Sequence, residues 1–150
     1  MEIIEYCSMI NVLDPNLVFG FYKKAETYYE LRAFDESIRC CKSGIAIAKN
    51  DNTIDTEGFI ENIYLGIVRL MGLSLHSLKK YEKAIVCYDT ILKLDENEKY
   101  ALNNKGITLY ELEKYEEAIV CYDKVLAIEP NKVYALGNKG IALDNLEKHE

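Results

Sequence analysis

Tyr81–Gly106 reads YEKAIVCYDTILKLDENEKYALNNKG, and Tyr115–Gly140, 34 residues further on, reads YEEAIVCYDKVLAIEPNKVYALGNKG, with 16 of 26 positions identical. Self-similarity at a fixed period marks a repeat array, in which each unit is one supersecondary element that buries its apolar face only by stacking on its neighbours. Such an array offers a surface before it offers a pocket.

The same spacing recurs through Gly72, Gly106 and Gly140, and through Ala84 and Ala118, each followed four residues later by Tyr88 or Tyr122. Small residues at fixed steps mark places where two helices approach closely. Leu102, Gly106 and Leu109 fall at i, i+4, i+7, and Ala118, Tyr122, Val125 and Leu126 at i, i+4, i+7, i+8, so each unit holds two amphipathic helices. The polar pair Glu113-Lys114 separates them and Pro130 closes the unit. The expected fold class is therefore all-α, a stack of helical hairpins.

Leu102, Gly106, Leu109, Tyr115, Ala118, Tyr122 and Pro130 at this spacing resemble the tetratricopeptide repeat, a 34-residue helix–turn–helix unit. One departure is regular. Where the family keeps Leu before the glycine, this chain has Lys105 and Lys139, though Met71 retains the apolar type one unit earlier. A lysine can lay its aliphatic stem along an apolar groove. The resemblance implies a right-handed superhelix of stacked hairpins, an α-α solenoid, whose first helices line a concave groove and whose second helices form its convex back.

Laid along the whole chain, the period predicts an array over 1–150. Residues 1–17 match a second helix only, with Ile3 in the small-residue place, Cys7 in the aromatic place and Pro15 closing. Residues 18–51 form a degenerate full unit carrying Phe21, Ala25, Tyr28, Phe34, Ser37 and Cys41. Residues 52–64 break the register by 13 positions before the units 65–98 and 99–132. Cap-forming Asn52, Thr53, Asp55 and Thr56, followed by Phe59, Ile60, Ile63 and Tyr64, predict an early helix start near Asp55 that runs to about Ser77, roughly 35 Å long. The alternative is a short separate helix or an ordered loop, since Gly58 weakens the early turns. Residues 133–150 match a first helix only.

Composition bounds the function. An apolar content of 49% with 29% charged residues suits a folded, soluble chain. The net charge of −7 and the lack of a basic stripe argue against a nucleic-acid partner. The longest apolar run, Phe59–Leu78, is interrupted by Glu61, Asn62, Arg69 and His76, and Met-Glu-Ile-Ile-Glu lacks the positive start of a signal peptide. A cytoplasmic protein without a membrane span is expected. Cys7, Cys40, Cys41, Cys87 and Cys121 all sit in helical segments and read as free core thiols, and the absence of any C-x-x-C pair speaks against a metal site. There is no Gly-rich phosphate loop, G-x-S-x-G or H-E-x-x-H, so neither an enzyme nor a cofactor is expected.

What the family resemblance implies about the groove can be placed residue by residue. Its lining would be Tyr22, Glu26 and Tyr29; Arg69, Leu70, Leu73 and His76; Tyr100, Asn103, Asn104, Ile107 and Tyr110; and Tyr134, Gly137, Asn138 and Ile141. Tyrosines bring area at low entropic cost, and an asparagine amide both donates to and accepts from a peptide backbone. Asn104 and Asn138 stand where peptide-binding members often keep such a residue. The expectation is a non-catalytic scaffold that holds a peptide or a partner's helix, a basic partner suiting the acidic chain better than an acidic one. Members that clamp a chaperone's C-terminal carboxylate use Lys and Asn where this chain has Tyr22 and Glu26, Asn where it has Leu70, and Lys and Arg where it has Tyr100 and Asn104, so no such clamp is expected. Two alternatives stay open. One is self-association, the half-units completing each other head-to-tail with Leu136, Ile141 and Leu143 as the apolar end contacts. The other is a piece of a longer array, serving as the regulatory portion of a larger protein.

Overall fold

The computed structural model describes residues 18–50 and 59–149, and the readings made for residues 1–17 and for a helix start near Asp55 lie outside them. The described residues form seven α-helices and no strand: α1 (Val18–Glu30), α2 (Phe34–Asn50), α3 (Phe59–Ser77), α4 (Tyr81–Leu94), α5 (Lys99–Glu111), α6 (Tyr115–Ile128) and α7 (Val133–His149). They divide into two compact units, the first ending at Leu78 and the second beginning at Lys79.

In the first unit, α1, α2 and α3 pack against one another around Val18, Ala25, Cys40, Cys41, Ile63, Ile67 and Leu70. Gly44 permits the close approach of α2, since a Cβ there would stand 2.9 Å from Ile67 Cδ1 and 3.2 Å from Phe21 Cβ. Ser37, in the small-residue place, is buried and satisfied: its hydroxyl donates to the Ala25 carbonyl at 2.8 Å and receives the buried Ser74 hydroxyl at 3.1 Å. Buried hydroxyls without such partners would be costly.

In the second unit α5 packs on α4 and α6, and α7 packs on α6 and touches α5. Leu109, Ala118, Cys121, Tyr122 and Ala142 form one core cluster and Leu102, Val125 and Ala135 another. Gly106 marks a close helix approach, because an added Cβ would lie 2.6 Å from Tyr122 Cε1. Gly140 has nothing within 4 Å of that point. The close approach expected along the glycine series is thus seen at Gly106, while the point at Gly140 is open among the described residues.

The hairpin turns share one geometry. Arg32, Lys79 and Glu113 all take left-handed backbone, with φ of 58°, 57° and 60°. After α1 the Ala33 N–H returns to the Tyr28 carbonyl and the Arg32 N–H to that of Tyr29; after α5 the Lys114 and Glu113 N–H groups return to Leu109 and Tyr110. That pairing is the Schellman motif, which satisfies the last helical carbonyls and turns the chain within three residues. Between repeats, Asp95 Oδ1 accepts the Asn97 N–H at 3.0 Å, and the Glu98 carboxylate caps α5 by accepting the Ala101 N–H at 2.5 Å.

The lysines that depart from the family pattern form a repeating ion pair. Lys105 reaches Asp89 at 2.6 Å and Lys139 reaches Asp123 at 2.5 Å, both partners displaced by one period. Cys40, Cys41, Cys87 and Cys121 are buried, and burial pushes the Cys87 thiol up to about 11. Cys7 falls outside the described residues.

Candidate functional site

The first helices of the hairpins carry the residues expected to line a groove. On α1, the Tyr22 hydroxyl donates to Glu26 Oε1 at 3.4 Å, and Lys23 holds the same carboxylate at 2.7 Å. The Tyr22 ring lies against Gly66 of α3, 3.2 Å from where a Cβ would stand. Tyr29 packs on Phe34 with ring centroids 5.6 Å apart. Arg69, Leu73 and His76 are half-buried on α3. Leu70, expected in the lining, is instead buried in the core of the first unit with Ala25, Cys41 and Ile67, because it falls one helical turn after Ile67 on the same inward face.

In the second unit the expected residues divide. Asn138 of α7 donates its amide to Asn103 Oδ1 of α5 at 3.2 Å. Seven residues further along both helices, Asn145 donates to the Tyr110 hydroxyl at 2.8 Å and to the Ile141 carbonyl at 2.9 Å. These two rungs hold α5 and α7 side by side. Between them opens a cavity of about 200 Å³ lined by Ile107, Tyr110, Glu111, Tyr122, Asn138 and Ile141. Its floor is apolar and its lining carries one carboxylate. Glu111 makes no ion pair among the described residues; it accepts only a long hydrogen bond from the Tyr81 hydroxyl, 3.5 Å.

Asn104, next to the first rung, is half-buried, and its side-chain amide takes no partner among the described residues; only its backbone carbonyl is used, by Thr108 Oγ1 at 2.8 Å. Tyr100 is exposed with the Lys99 ammonium 5.6 Å above its ring. Tyr134, its counterpart one period later, packs into the Leu102–Val125–Ala135 cluster, and its hydroxyl is buried without a hydrogen-bond partner. Neither ring lines the cavity. At the base of these helices Glu129 is held by Lys132 at 2.5 Å and by Lys99, and these two ammonium groups lower its carboxyl below the ordinary value.

Asn145, Glu111 and Tyr122 belong to this face, though the sequence reading did not place them there. A signal existed for two: Asn145 follows Asn138 by seven residues on one helix face, and Glu111 adjoins Tyr110. Leu136, Ile141 and Leu143, expected as end contacts, are all exposed on α7.

Among the described residues no group of three His, Cys, Asp or Glu could hold a metal ion, and no helix is long and apolar enough to cross a membrane.

Helical hairpins repeating every 34 residues, with a Tyr seated on a Gly inside the hairpin, define an all-α repeat array. The tetratricopeptide repeat pattern matches residues 70–98 and again residues 100–132, so the chain carries two repeats of that family. No curated protein matches it. Solved structures share the fold. A crystal structure of MamA aligns at a TM-score of 0.77 with 17% identity, covering 96% of this chain and 72% of that one. The C-terminal domain of a Plasmodium falciparum putative FK506-binding protein aligns at 0.75 with 19% identity, covering 88% and 89%. The first such domain of Spaghetti (RPAP3), solved with the HSP90 peptide SRMEEVD, aligns at 0.73 with 21% identity, covering 87% and 93%.

Proposed function

We propose that this protein is a non-catalytic interaction scaffold whose α5–α7 face binds an extended peptide or a partner's helix. The observation that carries the reading is the unpartnered Asn104 amide beside a hydrogen-bonded ladder. Asn103, Asn138, Asn145 and Tyr110 spend their polar groups on one another and fix the two helices, while Asn104 keeps a donor and an acceptor for a peptide backbone. The solved Spaghetti complex shows that a domain of this fold can hold a peptide, which supports the reading without naming a ligand.

A peptide display library panned against the full chain tests it. Captured peptides are expected to bind Asn104→Ala about tenfold more weakly, one hydrogen-bonding group being worth ~1.4 kcal/mol, with the melting temperature nearly unchanged. Equal affinity for the variant removes the asparagine from the site. Acidic C-terminal peptides such as SRMEEVD are expected not to bind, because Tyr22 and Glu26 stand where a carboxylate clamp places Lys and Asn.

A second reading, self-association through α7, is favoured by one observation. Leu102 and Leu109 on α5 are each 2% exposed, covered by α6, whereas their counterparts Leu136 and Leu143 on α7 are 49% and 40% exposed. A second copy of the chain would cover that strip.

A further inference from the structure

We propose that the cavity between the two rungs of the α5–α7 ladder is a specificity pocket for one lysine or arginine side chain of the bound peptide. The inference rests on the peptide-binding reading above and adds to it which residue type is selected. At about 200 Å³ the cavity is smaller than the ~300–1,000 Å³ of sites for whole small ligands, and suits a single side chain. Ile107, Ile141 and the Tyr122 ring offer apolar surface for a methylene stem, and the Glu111 carboxylate offers a counter-charge for its head. Lysine and arginine are the side chains that combine such a stem with such a head.

The surrounding charges agree. Lysines of α5, α7 and the turn after α5 are paired elsewhere: Lys105 holds Asp89 at 2.6 Å, Lys148 holds Asp144 at 2.6 Å, and Lys114 holds Glu117 at 3.5 Å. Glu111 thus keeps an uncompensated negative charge in a chain whose net charge is −7. An acidic side chain entering the pocket would meet that carboxylate, and a purely aliphatic one would leave it without a partner. Charge complementarity of this kind sets specificity more than total affinity. The rigid ladder on either side means that the pocket exists before the peptide arrives, so little ordering entropy is lost on filling it.

The test uses an arrayed library of random heptapeptides probed with the full chain. Lysine and arginine are expected to be enriched at one position of the bound peptides. The best binder is then remade with norleucine in place of the basic residue, and both peptides are titrated against the chain and against Glu111→Gln, an exposed position whose change leaves the core untouched. Glu111→Gln should weaken the basic peptide by about fivefold and leave the norleucine peptide unaffected, as a partly screened ion pair requires. Glu111→Lys should shift the selected position toward Asp and Glu. Bound peptides without a basic preference, or an equal effect of Glu111→Gln on both peptides, would overturn the pocket while leaving the scaffold reading intact. A library from which nothing is captured would overturn both.

Discussion

Gly106 and Gly140 are the same residue in the same place of two repeats, and they have opposite surroundings. At Gly106 the Tyr122 ring stands where a methyl group would go, so Gly106→Ala has to displace an aromatic side chain seated in the core. A loss of about 1–3 kcal/mol is expected for this overpacking. At Gly140 the space is open and only the entropic cost of glycine inside a helix remains, so Gly140→Ala should gain roughly 0.5–1 kcal/mol. Urea denaturation of the two variants checks both signs, and the same sign for both would mean that the aromatic seat is not what sets the cost. The left-handed Arg32, Lys79 and Glu113 belong to the same scale. At Arg32 and Glu113 the turn is made by hydrogen bonds to the helix end rather than by a glycine.

The regular departure from the family pattern is settled between elements. Lys105 on α5 and Lys139 on α7 each bind an aspartate of the helix before, so the apolar contact usual at that place is replaced by an ion pair. The first unit has Lys42 and Met71 at the equivalent positions and has no such pair there. Both partners of the Asp89–Lys105 pair are partly exposed, so a double-mutant cycle with Asp89→Asn and Lys105→Met should give a coupling of only ~0.5 kcal/mol at low salt. At 1 M salt it should vanish, because exposed charges are then screened within ~3 Å. Coupling that persisted at high salt would mean that the pair works through packing. The Asn103–Asn138 and Tyr110–Asn145 rungs belong to this scale as well, since each joins helices whose sequences lie 35 residues apart.

At the scale of the molecule, two units each have a core of their own, and the proposed recognition surfaces lie on the second. The second unit holds the α5–α7 ladder with its cavity and the exposed leucines Leu136 and Leu143 of α7. If these leucines join copies of the chain, Leu143→Glu should reduce the mass measured by light scattering, because a buried carboxylate without a partner costs several kcal/mol. A mass unaffected by the change would remove α7 from any self-contact and leave the ladder as the working surface.

Periodicity determined most of the architecture by itself. The 34-residue repeat and the 3.6-residue apolar spacing are local properties, so the helices, their pairing into hairpins and the close helix approach at Gly106 could be read from residue types. The groove residues were legible as a face but not as partners. Asn103 and Asn104 are adjacent and chemically identical, and only the packing of α7 on α5 decided that one is hydrogen-bonded and the other is available. Leu70 looked like its neighbours on α3 until the first unit's core claimed it. Leu102 and Leu136 likewise share a motif, yet one is buried and the other exposed. A repeated sequence specifies the same local fold at each copy, whereas burial and hydrogen bonding depend on which helix lies across from it, and that is a property of the assembled structure alone.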